Sequence, residues 1–232
     1  MRLSRKRLIS AGFLFVGFAL LSSIAACASA KNVSLKAGEE SIRGLYWAPP
    51  TSAKAAPGII LLHMLSRRKE DWRAFGDFLQ KNGYAAIAID LRDRGDGGRD
   101  KLIADARAAY DFLRSQKEVD ASRVAAIGGS MGANGALWFG AIEPAIKAVV
   151  LLSPGLNYYG VTSEDAMTRL GARPVLLVAS EDDGYSAVTV RRLAQLAKGP
   201  HPVKVFDNAG HGTEMLGAGL EQLILQFLQQ NL

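Results

Sequence analysis

The sequence predicts an α/β fold in which a mostly parallel central sheet carries helices on both faces. Short apolar runs alternate with stretches of helical periodicity from residue 58 onward, which is the pattern of strands joined by crossover helices. The chain has 232 residues and 49% hydrophobic content, enough to bury one good core in a single domain. Ser, Asp and His residues follow several of the apolar runs, at the carboxyl ends of strands where open parallel sheets bind their ligands.

The predicted elements follow in close succession. An antiparallel edge strand at residues 41–47 comes first. The buried strands that follow are predicted at residues 58–63, 84–90, 123–127, 147–152, 174–179 and 202–206. The helices are predicted at residues 70–82, 100–116, 133–142, 188–197 and 216–228. Fewer than twenty residues separate Leu156 from Arg173, which leaves room for a short helix and a loop and predicts a minimal cap. Tyr158 and Tyr159 in this segment either line the site or pack against the sheet edge.

One motif combines a strand, a sharp turn and a helix. Gly128-Gly129-Ser130-Met131-Gly132 lies between the apolar run 124–127 and the helical stretch 133–142. Gly-x-Ser-x-Gly in this context is typical of a nucleophile elbow, in which glycines make room for a strained turn that exposes the serine hydroxyl. Ser130 is therefore the candidate nucleophile. The alternative is a turn of small residues that only lets the strand and helix pack.

Candidate acid and base residues follow in the order that such an elbow requires. The strand at 174–179 ends in Ser180-Glu181-Asp182-Asp183, and the strand at 202–206 leads to Gly210-His211-Gly212. The chain order Ser…Asp…His is that of a catalytic triad on an open α/β sheet. His211 would accept the Ser130 proton, and an aspartate would hold the imidazole in the required tautomer.

These motifs together resemble the α/β-hydrolases, and in size and layout the compact esterases and dienelactone-hydrolase-like members. The resemblance covers most of residues 40–232 and includes Leu61-Leu62-His63 and Asp90-Leu91-Arg92 after two strands. Where family members commonly show Gly-x-x-Asp, this chain has Ser180 at the glycine, which makes Asp183 rather than Asp182 the matching acid.

The resemblance also implies which residues form the oxyanion hole. At two positions this chain differs from the family pattern. The N–H of Met131, directly after the nucleophile, and that of Leu65 are the expected donors. Met64 stands where the family usually has glycine, so a side chain lies where many relatives have none. Dienelactone hydrolases carry a cysteine nucleophile where this chain has Ser130, which favours ordinary serine esterase chemistry.

The predicted activity is hydrolysis of small or accessible acyl esters or lactones through an acyl-enzyme. Two alternatives stay open: an amidase or peptidase with the same triad, and a non-catalytic envelope lipoprotein that keeps the fold. No cofactor is expected, since serine hydrolysis needs none, and no metal is expected because the His, Cys and carboxylate spacings match no ligand set.

The N-terminus predicts export. A basic start precedes the uncharged residues 8–30, as in a signal peptide. Ile24-Ala25-Ala26-Cys27 resembles a lipobox, so we expect a signal peptide at 1–26, a linker at 27–40 and the hydrolase domain at 41–232. Cys27, the only cysteine, would carry a lipid that anchors the enzyme to a membrane on its periplasmic side. Cleavage at Ala28-Ser29-Ala30 would instead release a soluble protein, and the uncharged run is also long enough to span a bilayer uncleaved.

The charge pattern bears on the partners. The net charge is +6, but four of the 28 basic residues lie among the first seven, leaving 24 basic against 22 acidic residues. Nucleic acid is therefore not an expected partner. Cations cluster after two strands, at Arg67, Arg68, Lys69, Arg92, Arg94 and Arg99. They predict either a basic rim that favours anionic esters or, because carboxylates are interleaved with them, ordinary solvated loops.

Substitution of the predicted lipidation site tests the anchor. We expect Cys27→Ser to move the protein from the membrane fraction to soluble or unprocessed forms, because the thiol that would accept the lipid is absent. Cell fractionation and mass spectrometry of the mature N-terminus measure this. A mature protein that begins at Lys31 would contradict lipidation.

Overall fold

The computed structural model describes residues 29–51, 54–92 and 98–232. The predicted signal peptide, Cys27 and Arg94 lie outside these ranges. Within them, the strands are β1 Lys31–Ala37, β2 Glu40–Trp47, β3 Ala56–Leu62, β4 Ala85–Ile89, β5 Val119–Gly129, β6 Ile146–Leu152, β7 Asn157–Tyr158, β8 Val161–Thr162, β9 Val175–Ser180 and β10 Val203–Phe206. The α-helices are α1 Arg73–Lys81, α2 Gly98–Ser115, α3 Met131–Ile142, α4 Glu164–Leu170, α5 Gly184–Leu196 and α6 Leu220–Asn231. No helix in the described ranges is long and apolar enough to cross a membrane.

Eight of the strands form one sheet in the order β1-β2-β4-β3-β5-β6-β9-β10. Within this sheet, neighbouring strands among β4, β3, β5, β6, β9 and β10 pair in parallel. Strand β2 is antiparallel to both β1 and β4. The predicted fold class is confirmed. The carboxyl ends of β3, β4, β5, β6, β9 and β10 therefore meet at one edge of the sheet, where the candidate site residues lie.

The apolar runs of the parallel strands are explained by burial on both faces of the sheet. Ile59, Ile60, Leu61 and Leu62 of β3 are fully buried. Because successive side chains point to opposite faces, Ile60 and Leu62 pack in the core under α2, α3 and α5, and Ile59 and Leu61 pack with α1 and α6. Two cores thus hold the central strands from both sides.

The N-terminal boundary differs from the sequence prediction. Residues 31–37, expected within a linker at 27–40, form β1, which is the edge strand in place of β2. Val33, Leu35 and Ala37 alternate with polar residues, and Leu35 and Ala37 are buried. This period-two pattern is short and partly polar, yet it buries one face of the strand against the sheet.

The cap is as small as predicted. It consists of the β7–β8 hairpin and α4, and two side chains of the buried helix α3 hold it. The Asn134 amide donates to the carbonyls of Gly155 (2.8 Å) and Val161 (2.7 Å), while its oxygen accepts from the Gly155 N–H (3.1 Å). The Trp138 indole N–H donates to the Thr162 carbonyl at 2.6 Å. The hairpin is thereby fixed to the helix that follows Ser130.

Candidate active site

Ser130 occupies a strained turn between β5 and α3. Its backbone has φ 52° and ψ −121°, outside the conformations that a serine normally adopts, at a cost of about 1–3 kcal/mol. Its N–H donates to the Leu152 carbonyl at the end of β6 (2.8 Å). The residue is 8% exposed. These are the features of a nucleophile elbow.

The glycines around Ser130 are required by close backbone approach. A Cβ on Gly128 would overlap with the Gly132 carbonyl, because the chain doubles back within four residues. A Cβ on Gly132 would overlap with the carbonyl oxygens of Leu62 and His63 at the end of β3. The start of α3 therefore rests directly on the backbone of the neighbouring strand.

Asp183 and His211 form a hydrogen-bonded pair. His211 Nδ1 lies 2.6 Å from Asp183 Oδ2, and the two side chains are 36% and 16% exposed. Asp183 is the N-cap of α5, where its other oxygen accepts from the Ser186 N–H (3.3 Å). Burial raises the pKa of Asp183, but the hydrogen bonds from Ser186 and His211 outweigh it and bring the pKa below its usual range. The carboxylate is thus held ionised against the imidazole.

The neighbouring aspartate has a different set of contacts. Asp182 accepts a hydrogen bond from the Ser180 hydroxyl and another from the Gly210 N–H at 3.2 Å. The Ser180 oxygen, fully buried, also accepts from the Ala209 N–H at 2.8 Å. Asp182 and Ser180 therefore hold the loop that leads to His211, and do not contact its ring.

Two further residues fix the His211 loop from its other side. The His211 N–H donates to the Glu214 carboxylate at 3.0 Å, and the Gly212 N–H donates to the Ser153 hydroxyl at 2.9 Å. Ser153, at the end of β6, is fully buried and has φ 52°. Sequence reasoning missed Ser153, although its place after a buried strand at the same sheet edge was a usable signal.

The elbow and the His211 loop touch through glycines. A Cβ on Gly129 would lie 3.7 Å from the Cα of Gly212 and 3.1 Å from Met64 Cγ, and a Cβ on Gly212 would overlap with Met64 Sδ. The Met64 side chain, 6% exposed, thus packs against the two glycines that flank Ser130 and His211. The side chain in the family's glycine position is accommodated here because both neighbours lack a Cβ.

The predicted oxyanion donors lie on either side of this contact. Met131 is the first residue of α3, where the N–H groups of a helix have no intrahelical partner. Leu65 begins the turn after β3, directly beyond Met64. Because Gly132 packs on the Leu62 and His63 carbonyls, these two segments are adjacent.

Tyr158 and Tyr159 differ in environment. The Tyr158 hydroxyl lies 3.3 Å from the Ser153 carbonyl and 3.4 Å from the Ser186 hydroxyl, and its ring packs edge-on against Tyr185. Burial raises the pKa of Tyr158, and its contacts with the hydroxyls of Ser186 and Ser130 lower it in part. Tyr158 therefore faces the site, while Tyr159 is 66% exposed.

His63 and Asp90 have structural contacts. His63 Nδ1 lies 2.6 Å from the Met64 carbonyl, and Nε2 accepts from the Leu91 N–H at 2.9 Å. Burial lowers the pKa of His63 despite the opposing Met64 hydrogen bond, so the ring is neutral and donates from Nδ1. Asp90 binds the Lys69 ammonium at 2.8 Å. Both residues tie the loop after β3 to the end of β4.

The cations of the predicted basic rim have different surroundings in the structure. Lys69 is buried between Asp90 and Glu70. Arg92 binds the buried Asp105 at 2.6 Å, and Arg99 lies over the Trp138 ring. Arg67 and Arg68 line a cavity together with Arg43, which sequence reasoning did not include. Within the described ranges, no group of three His, Cys, Asp or Glu side chains is placed to hold a metal ion.

A family model for the alpha/beta hydrolase fold matches residues 57–172, half of the chain. The chain belongs to the α/β-hydrolase family. The esterase FrsA of Yersinia pestis is 31% identical over 124 residues, which are 51% of this chain and 30% of that protein. The chain thus spans less than a third of the length of this curated relative.

Solved structures show the same fold at low identity. A dienelactone hydrolase from Anabaena variabilis superposes with a TM-score of 0.74 at 19% identity, covering 88% of this chain and 98% of that one. The Pyrococcus horikoshii acylaminoacyl peptidase gives a TM-score of 0.72 at 15% identity, covering 88% of this chain and 42% of the peptidase. These likenesses support the fold, which hosts many hydrolytic activities.

The packing of the elbow predicts that one added methyl group lowers the stability of the fold. Gly132→Ala places a Cβ against two backbone carbonyls that cannot move independently, so we expect a loss of about 1–3 kcal/mol. For a chain of this size that lowers the Tm by roughly 2–12 °C, measured by thermal unfolding. Gly184→Ala, where a Cβ meets open space, is the control and should shift the Tm by less than about 2 °C. Equal shifts in the two variants would contradict this account of the elbow.

The contacts of the two aspartates predict different effects of the same substitution. Asp183→Asn removes the acceptor that fixes the His211 tautomer, so kcat on an ester substrate should fall by about 10⁴-fold. Asp182→Asn, a matched control, keeps the shape of a side chain that contacts Ser180 and the Gly210 N–H, and should lower kcat by less than about tenfold. Steady-state kinetics of both purified variants decide which aspartate acts with His211. A larger loss of kcat in Asp182→Asn than in Asp183→Asn would assign that role to Asp182.

Proposed function

We propose that this protein is a serine carboxylic-ester hydrolase that uses Ser130, His211 and Asp183. The observation that carries the proposal is the 2.6 Å Asp183–His211 pair on a loop that touches the elbow holding Ser130. The curated relative is named an esterase, which supports ester rather than other substrates.

In the proposed reaction, Ser130 Oγ attacks the ester carbonyl while His211 Nε2 takes its proton. Asp183, bound to Nδ1, stabilises the imidazolium that forms. The N–H groups of Met131 and Leu65 would bind the oxyanion of the tetrahedral intermediate. His211 then returns the proton to the leaving alcohol as the C–O bond breaks, leaving an acyl group on Ser130. Water, activated by His211, attacks this acyl-enzyme, and the carboxylic acid leaves.

The small cap bears on substrate size. Only the β7–β8 hairpin and α4 lie between β6 and β9, and α3 holds this hairpin in place through Asn134 and Trp138. Tyr158 of this hairpin packs edge-on against Tyr185 of α5. We infer that small or protruding acyl esters and lactones reach Ser130 without displacement of a large lid.

Amide or peptide cleavage is the second candidate. The same triad performs it, and an acylaminoacyl peptidase is among the proteins that share the fold. The two reactions differ in the leaving group, since an amine must be protonated before it departs. A matched ester and amide of the same acyl group therefore separate the candidates.

We also propose that the enzyme works outside the cytoplasmic membrane, held by a lipid on Cys27. The basic start, the uncharged stretch and the lipobox-like Ile24-Ala25-Ala26-Cys27 support this location. A short segment between Cys27 and β1 would place the catalytic domain close to the membrane surface.

Substitution of the nucleophile tests the activity. The wild-type protein should hydrolyse p-nitrophenyl esters, with a preference among chain lengths from acetate to octanoate, and should react with a fluorophosphonate probe. In Ser130→Ala, kcat should fall by about 10³-fold or more with the Tm maintained, because the attacking oxygen is absent. Retained turnover would place the nucleophile elsewhere. An unlabelled, inactive wild-type protein would instead support a non-catalytic envelope lipoprotein.

A further inference from the structure

A cavity of about 250 Å³ opens at the sheet edge, next to the loop that carries Leu65. Its lining residues are Arg43, His63, Ser66, Arg67, Arg68, Asp90 and Leu91. We propose that this cavity binds an anionic group, a carboxylate or a phosphate, carried by the ester substrate. The inference rests on the proposed esterase function and specifies the class of ester.

The charges that line the cavity are mainly positive. Three arginines face a single carboxylate, that of Asp90. This carboxylate already accepts from the Lys69 ammonium at 2.8 Å and the Lys69 N–H at 3.2 Å, and it pairs with Arg43 at 3.2 Å. Its negative charge is therefore compensated by groups that are in place before any ligand arrives.

The two arginines after the turn have different partners. Arg67 pairs with Asp71 at 2.6 Å, with a side chain that is 50% exposed. Arg68 is exposed and forms no ion pair with any residue in the described ranges. A guanidinium offers planar, paired N–H donors that match a carboxylate or phosphate in a bidentate contact. Among the lining cations, Arg68 is thus the one whose donors are in no ion pair with a residue that the structure describes.

The cavity lies close to the reacting carbonyl in the proposed mechanism. Arg67 and Arg68 follow Leu65 by two and three residues, so their backbones lie within about 11 Å of the proposed oxyanion donor at 3.3–3.6 Å per residue. The hydrogen bond and charge of Asp71 raise the pKa of Arg67, and Glu214, which binds the His211 N–H, contributes as well. The pair with Asp71 therefore holds the Arg67 guanidinium at the cavity that it lines.

The backbone of the intervening turn is strained. Ser66, which lines the cavity between Leu65 and Arg67, has φ 61°, a left-handed conformation that is uncommon for serine. Strain of this kind costs about 1–3 kcal/mol and concentrates at ligand sites. Its effect here is to reverse the chain so that Arg67 and Arg68 border the cavity while Met64 covers the elbow.

Matched substrates test the inference. The first pair is p-nitrophenyl butyrate and mono-p-nitrophenyl succinate, which places the carboxylate on the acyl side. The second is phenyl acetate and 3-carboxyphenyl acetate, which places it on the leaving group. Phenyl acetate bearing a 3-phosphate is the phosphate arm. At low ionic strength we expect kcat/KM to favour the anionic member of at least one pair by about tenfold, equivalent to a differential binding of about 1.4 kcal/mol. The preference should shrink at 0.15 M salt, where the Debye length is about 8 Å.

Arginine-to-alanine variants test whether the cavity causes the preference for anionic esters. Arg68→Ala should reduce the anionic preference to less than about twofold, mainly through KM, and leave kcat/KM for the neutral esters within about twofold. Arg114→Ala is the matched control, since Arg114 is also an exposed arginine (59%) but pairs with Asp111 on α2. It should leave the preference unchanged. The Tm of each variant checks that the fold is maintained.

The outcomes are distinguishable. Turnover of neutral esters with no anionic preference at low salt would overturn the anionic site and leave the esterase proposal standing. An equal loss of the preference for anionic esters in Arg68→Ala and Arg114→Ala would also overturn the anionic site, since it would indicate a general charge effect. Absence of turnover with every ester would overturn both proposals.

Discussion

The contact between the start of α3 and the end of β3 governs the rest of the site. Gly132 packs on the carbonyls of Leu62 and His63 so closely that no side chain fits there. This close approach lies two residues after Ser130, whose backbone has φ 52°, and two residues before Leu65. The strain at Ser130, about 1–3 kcal/mol, is offset by the fully buried apolar strands on which the elbow rests. One backbone contact therefore brings together the segments that carry the candidate nucleophile Ser130 and the proposed oxyanion donor Leu65.

Buried hydroxyl groups hold the loop of His211, the candidate base, in position. Residues 207–211 form no helix or strand and lead into a 3-10 turn at Gly212–Met215. The N–H groups of Ala209 and Gly212 donate to the hydroxyls of Ser180 and Ser153, which are fully buried. Each such bond contributes about 1 kcal/mol, and more is lost if a buried donor is left without a partner. Together with Asp183 at the N-cap of α5, they fix the imidazole from strands β6 and β9. Side chains at the ends of two strands of the sheet thus hold the His211 loop in place.

Local patterns were sufficient to predict the fold and the order of the candidate site residues. The fully apolar parallel strands and the glycine-flanked serine are encoded within a few neighbouring residues. The roles of Ser153, Ser180 and Arg43 depend on which distant segments they meet. The place of Ser153 after a buried strand indicates the sheet edge, but its bond to the Gly212 N–H is not encoded locally. The partners of the predicted basic rim are distant in the sequence for the same reason. Arg92 pairs with Asp105, thirteen positions along the chain, and donates to the Ala37 carbonyl of the edge strand β1. Strand β1 was missed because only one face of it is apolar.

The Asn134 side chain has a consequence for the rate of turnover. Its amide forms hydrogen bonds with backbone groups on both sides of the cap hairpin, at Gly155 and Val161. The residue is fully buried and lies on the helix that begins directly after Ser130. Lifting the hairpin would leave the polar groups of this contact unpaired, at about 1–3 kcal/mol each. In many hydrolytic enzymes opening of a lid limits kcat. Here the cap is hydrogen-bonded to the helix that follows Ser130. Under the proposed function we therefore expect the chemical steps, rather than the opening of a lid, to limit kcat.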